Sequence, residues 1–323
     1  MKESGGSESP IIVIAGPTAS GKSRLAVAVA REFGGAIINA DSMQVYRDLR
    51  VVTARPGDAE MKAVPHFLYG DIDAGESCSA GRWRGLALAA IARTRAAELL
   101  PVIAGGTGLY ISALLDGLAD VPPVSEDIVA ETRELHARMG GEKFRAALAE
   151  LDPEAAKRLH AGDTQRLIRA YAVARATGVA LSEWQRRQKA GAMPDAAAIV
   201  LLPPREELYA AIDARLRSMF EAGAIEEVRD LLARKLAPEL PAMKAVGVRE
   251  ISGFIAGDLT REKALAAAQQ ATRRYAKRQY TWLRHRLKSS KKLQKLAMEA
   301  QYSERILPEI FSFIRQFLLT TRK

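Results

Sequence analysis

The segment at residues 16–23 has the most specific chemistry in this chain, because it fits the phosphate-binding pattern G-x-x-x-x-G-K-[ST]. Backbone N–H groups of such a loop bind phosphate oxygens, its lysine adds a positive charge, and its last hydroxyl is placed to bind Mg²⁺. The pattern therefore predicts a site for a phosphate-rich ligand, without saying which one. Its residues are Gly16, Pro17, Thr18, Ala19, Ser20, Gly21, Lys22 and Ser23.

The elements around this loop are the ones that the chemistry needs. An apolar run at residues 11–15 predicts a buried strand before the loop, and residues 24–30 predict a helix after it. This order directs the N-terminus of the helix at the bound anion. Further strands are predicted at residues 36–40, 67–70 and 101–104, with an amphipathic helix at residues 80–100. The alternation predicts an α/β fold with a parallel sheet flanked by helices.

Two polar segments follow predicted strands. Asp41 comes directly after residues 36–40, and Thr107 lies in the Gly-rich run GGTG after residues 101–104. Ligands of parallel sheets bind at the carboxyl ends of the strands, so we expect both residues to meet the phosphate loop in one site. Beside phosphate, Asp41 suits a Mg²⁺ ligand, a general base or a ribose contact, and an ordinary helix N-cap is the alternative.

The middle of the chain differs in composition. Residues 123–196 are rich in Ala, Arg and Glu and are bracketed by two Pro-Pro pairs, which predicts an all-helical insertion domain. Residues 197–202 are apolar and predict a return to the sheet. We expect a P-loop NTPase-like core at residues 10–122 and 197–287, a disordered leader at residues 1–9 and a tail at residues 288–323. The tail is basic and then apolar, which is compatible with one amphipathic helix, and its role stays open.

Amino-acid composition limits the number of domains, the cysteine chemistry and the expected location of the protein. The chain has 323 residues, 48% of them apolar, which suffices for a core in roughly two domains. Its single cysteine excludes an internal disulfide and a cysteine-based zinc site. No signal peptide or membrane-spanning run is visible, so we expect a cytoplasmic protein with no membrane partner. We also expect a monomer, since no pattern indicates self-association.

The net charge of +10 is concentrated near the C-terminus, where residues 272–323 carry 14 Lys and Arg against 3 Asp and Glu. Such a segment suits a polyanion such as nucleic acid, although a solvated tail has the same composition. Within it, residues 272–284 interleave aromatic and cationic side chains, as phosphate contacts with base stacking require. A second basic group lies at residues 163–169, where Arg166 and Arg169 share a helix face. For residues 272–284, the alternative is a helix with buried aromatic side chains and a solvated basic face.

Several ordered segments together resemble the tRNA dimethylallyltransferase family, over residues 11–286. They are the phosphate loop, NADSMQVY at 39–46, TARP at 53–56, PH at 65–66, GGTGLY at 105–110, DTQR at 163–166, MKAVG at 243–247 and YAKRQYTW at 275–282. The resemblance implies that the loop holds the diphosphate of dimethylallyl diphosphate, with Mg²⁺. It also implies that the dimethylallyl group moves to N6 of adenosine 37 in tRNA while diphosphate leaves.

The resemblance assigns roles to matching positions. Asp41 accepts the proton of the N6 amine as general base, and Thr107 contacts the substrate near the reacting centre. The loop lysine, the loop amides and Ser23 with Mg²⁺ stabilise the charge on the departing diphosphate. Arg215 lies in a helix that resembles the one supplying a diphosphate-binding arginine, and Arg217 on the same helix is a second candidate.

The resemblance also implies contacts with the anticodon stem-loop of tRNA. One surface faces the target nucleotide and consists of Asp41, Ser42, Met43 and Gln44. The others comprise Gln165, Arg166, Arg169, Met243, Lys244, Gly247, Arg249, Lys277, Arg278, Gln279, Trp282 and Arg284. The helical insertion domain would contribute some of these contacts with the anticodon stem-loop. The target adenine would be turned out of its stack to reach a buried centre.

Three other functions stay open on the sequence alone. A related adenylate isopentenyltransferase would act on free AMP, ADP or ATP, but the basic segment and the helical insertion favour tRNA. A P-loop nucleotide kinase or ATPase would need a hydrophobic strand that ends in a Walker-B acid, and no clear one follows the first strand–helix unit. An RNA-binding protein with an inactive phosphate loop is disfavoured because Lys22, Ser23 and Asp41 are intact.

Overall fold

The computed structural model describes residues 10–187, 195–290 and 292–321. These residues form two compact units. The first comprises the described residues up to Leu115 and from Asp195 onward, and the second runs from Asp116 to Arg187. The leader predicted at residues 1–9 lies outside the described residues. No helix in the described ranges is long and apolar enough to cross a membrane.

The first unit is built on a sheet of six strands, and every neighbouring pair is parallel. The strands are β1 (Ile11–Ala15), β2 (Gly35–Asn39), β3 (His66–Phe67), β4 (Leu100–Gly105), β5 (Ala196–Leu201) and β6 (Leu293–Met298). Their spatial order is β3-β2-β4-β1-β5-β6. The predicted α/β fold with a parallel sheet is confirmed. Because β2, β4 and β1 are neighbours, the segments that follow them leave the sheet side by side.

Helices of the first unit flank the sheet. The helices of the described residues are α1 (Lys22–Phe33), α2 (Asp58–Ala63), α3 (Ala80–Ala96), α4 (Gly108–Leu115), α5 (Glu126–Met139), α6 (Gly141–Ala149), α7 (Pro153–Arg158), α8 (Thr164–Thr177), α9 (Leu181–Arg187), α10 (Arg205–Glu221), α11 (Ala224–Ala233), α12 (Val248–Ile255), α13 (Arg261–His285) and α14 (Leu307–Thr321). Of these, α1–α4 and α10–α14 belong to the first unit. Alternate residues of β1 enter opposite cores: Val13 packs with residues of α3 and α10–α13, whereas Ile14 packs with α1 and α14. Both faces of the sheet are therefore covered.

The second unit contains α5–α9, and every element that the structure describes in it is helical. Its core includes Phe144, Leu148 and Leu167. Asp152 is fully buried, and its carboxylate accepts hydrogen bonds from the backbone and hydroxyl of Ser182 at 2.9 and 2.7 Å. This carboxylate therefore fixes the start of α7 to the first turn of α9.

The tail differs from the predicted single amphipathic helix. Its basic half contains β6, which pairs along the whole of β5, and its apolar half forms α14. That prediction is wrong for the basic half because strand pairing, rather than local propensity, decides its conformation: β5 otherwise presents an open edge. Ile310, Ile314 and Phe317 lie on one face of α14 and are buried in the core around α1.

Candidate active site

The phosphate loop connects the end of β1 to the start of α1. Two of its residues have left-handed backbone conformations: Gly21, with φ of 84°, and Ala19, with φ of 65°. A non-glycine residue adopts this conformation only where the surrounding structure holds it. Within the loop, the Ser20 amide donates to the Pro17 carbonyl at 3.2 Å. The loop is therefore compact and places the N-terminus of α1 at the anion position that the motif predicts.

Lys22 is the first residue of α1, and its ammonium lies 3.4 Å from the Pro17 carbonyl oxygen. Burial lowers the pKa of this ammonium to about 8; the Asp41 carboxylate opposes the shift, and the Arg215 guanidinium adds to it. Three charged groups from separate parts of the chain thus act on one another beside the loop. An anion such as diphosphate would favour the protonated form of Lys22.

Arg215, on α10, reaches the same loop. Its Nη2 donates a hydrogen bond to the Thr18 hydroxyl. Burial lowers the pKa of this guanidinium, and the Asp41 carboxylate opposes that shift. Its Nε is buried and has no hydrogen-bond partner among the described residues, so part of its donor capacity is unused. Arg217 is exposed, and the geometry therefore favours Arg215 as the diphosphate-binding arginine.

Asp41 follows β2 in a turn that the buried Asn39 stabilises. The Asn39 amide nitrogen donates to the carbonyls of Asp41 and Leu68 at 3.0 and 2.9 Å, and its amide oxygen accepts the Asp41 N–H. The Asp41 Oδ1 accepts the Met43 N–H at 2.9 Å. Within the described part of the chain, no group donates to Oδ2. One carboxylate oxygen thus holds the turn, and the other is left for a ligand or a proton.

Thr107 lies in the loop after β4 and joins it to the turn at Asp41. Its hydroxyl accepts the Ser42 N–H at 2.9 Å and lies 3.3 Å from the Ser42 hydroxyl. Its own N–H donates to the Ala40 carbonyl at 3.2 Å. The Tyr275 hydroxyl, on α13, is also hydrogen-bonded to Thr107, and burial and the Asp41 charge raise its pKa. The segments after two neighbouring strands are therefore held together beside the loop.

A cavity of about 230 Å³ lies beside the phosphate loop, and Thr18, Asp41, Arg215 and Tyr275 contribute to its lining. It is lined by Thr18, Asp41, Ser42, Met43, Val52, Thr53, Arg215, Leu216, Met219, Lys244, Ala245, Val246, Thr272, Tyr275 and Arg278. One part of this lining is polar and charged, whereas another consists of aliphatic side chains. A ligand with an anionic head and a short apolar group suits such a lining.

Comparisons with known proteins decide the family. The sequence model of a family described as IPP transferase matches residues 44–286, and a second model, described as isopentenyl transferase, matches residues 9–71. The chain belongs to the IPP transferase family. The resemblance found in the sequence motifs is thereby confirmed.

Individual members of the family match this chain over most of its length. A tRNA dimethylallyltransferase of Rhodospirillum rubrum is 51% identical over 313 residues, covering 96% of each chain. One from Rhodospirillum centenum is 53% identical over 285 residues, covering 88% of this chain and 91% of its own. The full-length tRNA isopentenylpyrophosphate transferase of Bacillus halodurans aligns with a TM-score of 0.69 at 31% identity over 98% of both chains. A eukaryotic dimethylallyltransferase described as acting on tRNA gives 0.78 at 26% identity, over 95% of this chain and 80% of its own.

Half of the residues predicted to contact tRNA in this member of the IPP transferase family are exposed. On the first unit these are Lys244, Arg249, Lys277, Arg278 and Arg284, and on the second unit Gln165, Arg166 and Arg169. Arg166 lies 3.8 Å from Asp163, in a surface ion pair of little energetic weight. Met243 is partly exposed. Gly247 is buried, and it has a φ of 99° at the residue before α12, a backbone conformation that favours glycine.

Two predicted tRNA contacts have a different place in the structure. Gln279 is buried: its amide oxygen accepts the Thr18 N–H at 2.8 Å, and its amide nitrogen donates to the Gly106 carbonyl at 2.9 Å. It therefore bridges the two loops rather than lying on a surface. Gln44 is also buried and donates to the carbonyls of Thr53 and Ala54. Both amides are used inside the chain, so a tRNA contact is not the role that their geometry indicates.

Other site residues were not predicted from the sequence. Tyr275 is one, although it lies four residues before Gln279 on α13 and so on the same helix face. Glu227 is another: its carboxylate accepts the backbone N–H groups of Arg50, Val51 and Val52 at 2.7–2.9 Å. It thereby fixes the segment that carries Val52 into the cavity wall. No local pattern marks an acid on α11 for that role.

The residues present fit Mg²⁺ only as an ion shared with a phosphate ligand. Among the described residues there is no cluster of three His, Cys, Asp or Glu side chains that could hold a metal. Ser23 offers one hydroxyl in the first turn of α1. Mg²⁺ commonly keeps waters and takes its other ligands from substrate phosphates, which suits such a sparse donor set.

The two arginines of α10 offer a matched test. Arg215→Ala should raise the KM for the diphosphate substrate by about 10- to 100-fold, because a charge-assisted contact is lost next to the loop. Arg217 lies two residues further along α10, on a different face of the helix, and is exposed. Arg217→Ala should therefore leave the KM within about twofold. Steady-state kinetics at saturating tRNA measure both. Equal effects of the two substitutions would show that α10 contributes only general positive charge.

Proposed function

We propose that this protein transfers the dimethylallyl group from dimethylallyl diphosphate to N6 of adenosine 37 in tRNA, and releases diphosphate. The observation that most supports this reaction is that the Lys22 ammonium, the Arg215 guanidinium and the Asp41 carboxylate act on one another beside the phosphate loop. Arg215 and Asp41 also line a cavity that has an aliphatic wall. A diphosphate suits the two cations, and an amine proton suits the carboxylate. The names of its relatives, which are tRNA dimethylallyltransferases, support tRNA as the acceptor.

In the proposed reaction, the N6 amine attacks the first carbon of the dimethylallyl group, and the bond from that carbon to the diphosphate oxygen breaks. Asp41 takes the proton that the amine loses, through the carboxylate oxygen that the turn does not use. Lys22, Arg215 and the loop amides stabilise the negative charge that grows on the leaving diphosphate. The Ser23 hydroxyl would help to hold Mg²⁺, and the ion would supply further Lewis-acid stabilisation of that charge.

The aliphatic part of the cavity suits the transferred group. Val52, Leu216, Met219, Ala245 and Val246 line it. A five-carbon allylic group would be desolvated against these side chains, which favours its binding and keeps water from capturing it. We propose that this wall, rather than the phosphate loop, selects the prenyl group.

We also propose that the exposed cations of α8, α12 and α13 bind the anticodon stem-loop. A free adenine nucleotide would need none of these surfaces, which argues against the adenylate alternative. Neither the strand β1 nor its two neighbours, β4 and β5, ends in an acidic residue. A P-loop kinase would need such an acid, so this argues against a kinase. The monomeric state and the cytoplasmic location stay predictions.

A labelled-substrate assay tests the proposal directly. The protein is incubated with Mg²⁺, labelled dimethylallyl diphosphate and one of three acceptors: tRNA with adenosine 37, the same tRNA with guanosine 37, or AMP. Label in the adenosine 37 tRNA alone is expected. Label on AMP would move the activity to free nucleotides, and no label on any acceptor would remove the prenyl-transfer proposal.

Neutralising Lys277 and Arg278 together should weaken tRNA binding and lower the slope of log K against log salt by roughly one to two. Both side chains are exposed on α13, so each can release about one counterion when it meets a phosphate. Titrations at several salt concentrations measure the slope. Arg31 and Lys235, exposed on other elements, provide the control pair, and a similar loss in that pair would indicate a non-specific effect of charge.

A further inference from the structure

The segment between β6 and α14 contacts the phosphate loop. The side-chain amide nitrogen of Gln301 donates to the Ala19 carbonyl, and the backbone N–H of Tyr302 donates to the Ser20 carbonyl at 3.2 Å. A Cβ atom on Gly21 would lie only 2.5 Å from the Tyr302 Cβ, so the tyrosine packs directly on that glycine. Three successive loop residues are thus contacted by two residues of the tail.

These contacts act on the direction of the loop amides. A trans peptide unit is planar, with its carbonyl and N–H on opposite sides. Holding the Ser20 carbonyl therefore also fixes where the Gly21 N–H points. Holding the Ala19 carbonyl stabilises a residue whose left-handed φ of 65° is otherwise unfavourable. Gln301 and Tyr302 therefore restrain the loop through its carbonyl groups and leave its N–H groups to a ligand.

The two tail residues are themselves firmly anchored. On one side β6 is paired with β5 over six residues. On the other, Phe311 of α14 packs edge-on against Phe33 of α1, with ring centroids 5.5 Å apart, and Arg315 pairs with Glu32. The Arg24 guanidinium lies over the Tyr302 ring, 5.3 Å from its centroid. The restraint on the loop is therefore carried by the sheet and by α1.

We propose that Gln301 and Tyr302 are positioning residues for the diphosphate group, acting through the phosphate loop. The choice of ligand rests on the proposed function, whereas the contacts themselves do not. The matched ranges of both family models, residues 44–286 and 9–71, leave this segment out. The tail thus has a part in substrate binding although it lies beyond those ranges.

Calorimetric titration with inorganic diphosphate and Mg²⁺ tests this role without prenyl transfer. Gln301→Ala removes the side-chain donor to the Ala19 carbonyl, and it should weaken diphosphate binding by about 5- to 10-fold, with a similar rise in the KM for dimethylallyl diphosphate and kcat within about twofold. Tyr302→Ala removes the ring next to Gly21 and Arg24 but keeps the backbone donor to Ser20, so it should weaken binding by about two- to fivefold. Tyr302→Phe keeps the ring on Gly21 and Arg24 and should restore affinity. If Gln301→Ala loses diphosphate affinity but wild type prenylates no acceptor, the positioning role stands and the proposed function fails.

Phe311→Ala is the matched control. It removes an aromatic contact that anchors α14 but touches no loop residue, so it should lower the melting temperature and leave diphosphate affinity unchanged. The proposal is overturned if Gln301→Ala binds diphosphate as wild type does. It is also overturned if Phe311→Ala weakens binding as much as Gln301→Ala does, because the effect would then follow global stability.

Discussion

Asp41→Asn should lower the rate of prenyl transfer by about 10²- to 10⁴-fold while tRNA affinity stays within about twofold of wild type. A carboxamide cannot accept the amine proton, so the acceptor nitrogen would have to attack without a base. The substitution is conservative for the turn, because an asparagine side-chain oxygen can still accept the Met43 N–H that Oδ1 accepts now. Single-turnover rates and equilibrium binding of the same tRNA measure the two quantities separately.

Asp41→Ala distinguishes the chemical role from the structural one. It removes both the base and the hydrogen bond to Met43, and should cost about 1 kcal/mol of stability as a lost turn cap does. If Asp41 is the base, both variants lose transfer to a similar extent, and only the alanine variant melts earlier. If Asp41 serves only the turn, the asparagine variant keeps most of its activity, and the base must be another group.

The position of the site follows from local sequence patterns. The phosphate loop, Asp41 and Thr107 each come directly after a buried strand, and a parallel sheet places such positions at one edge. The structure supplies the strand order, in which β2, β4 and β1 are neighbours. The segments therefore meet because of the sheet, while the residue types that could do chemistry were already visible in the chain.

Contacts between distant segments could not be predicted in the same way. Gln279 lies in a basic, aromatic segment whose composition indicates a nucleic-acid surface, yet it hydrogen-bonds Thr18, which is 261 residues away. The strand β6 has the sequence LQKLAM, with no β-branched residue, and pairs because β5 offers an edge. Such roles depend on what the rest of the chain brings near, and no periodicity encodes them.

Lys22→Ala should weaken binding of dimethylallyl diphosphate by about 10²-fold, because the loop would lose a desolvated positive charge beside the diphosphate. Lys22→Arg keeps a charge but changes its geometry, so it should recover part of this affinity. Binding measured by calorimetry without tRNA isolates the effect from turnover. An alanine variant with unchanged affinity would mean that the loop amides and Arg215 alone hold the ligand.

The pH dependence of binding tests the same group independently. Burial holds the Lys22 pKa at about 8 in the free protein, so the ammonium loses its proton as pH rises through that value. A bound diphosphate favours the charged form, and its own ionisation is complete by about pH 7. Affinity should therefore be flat between about pH 7 and pH 7.5 and should fall by up to about tenfold per pH unit above pH 8. Above pH 8 the complex should take up close to one proton, detectable as a dependence of binding heat on the buffer's ionisation enthalpy.

Lys22→Arg is the control for this pH dependence. In this variant both the fall in affinity and the proton uptake should vanish, because a guanidinium stays charged throughout this range. A pH-independent affinity in wild type would contradict the lowered pKa of Lys22.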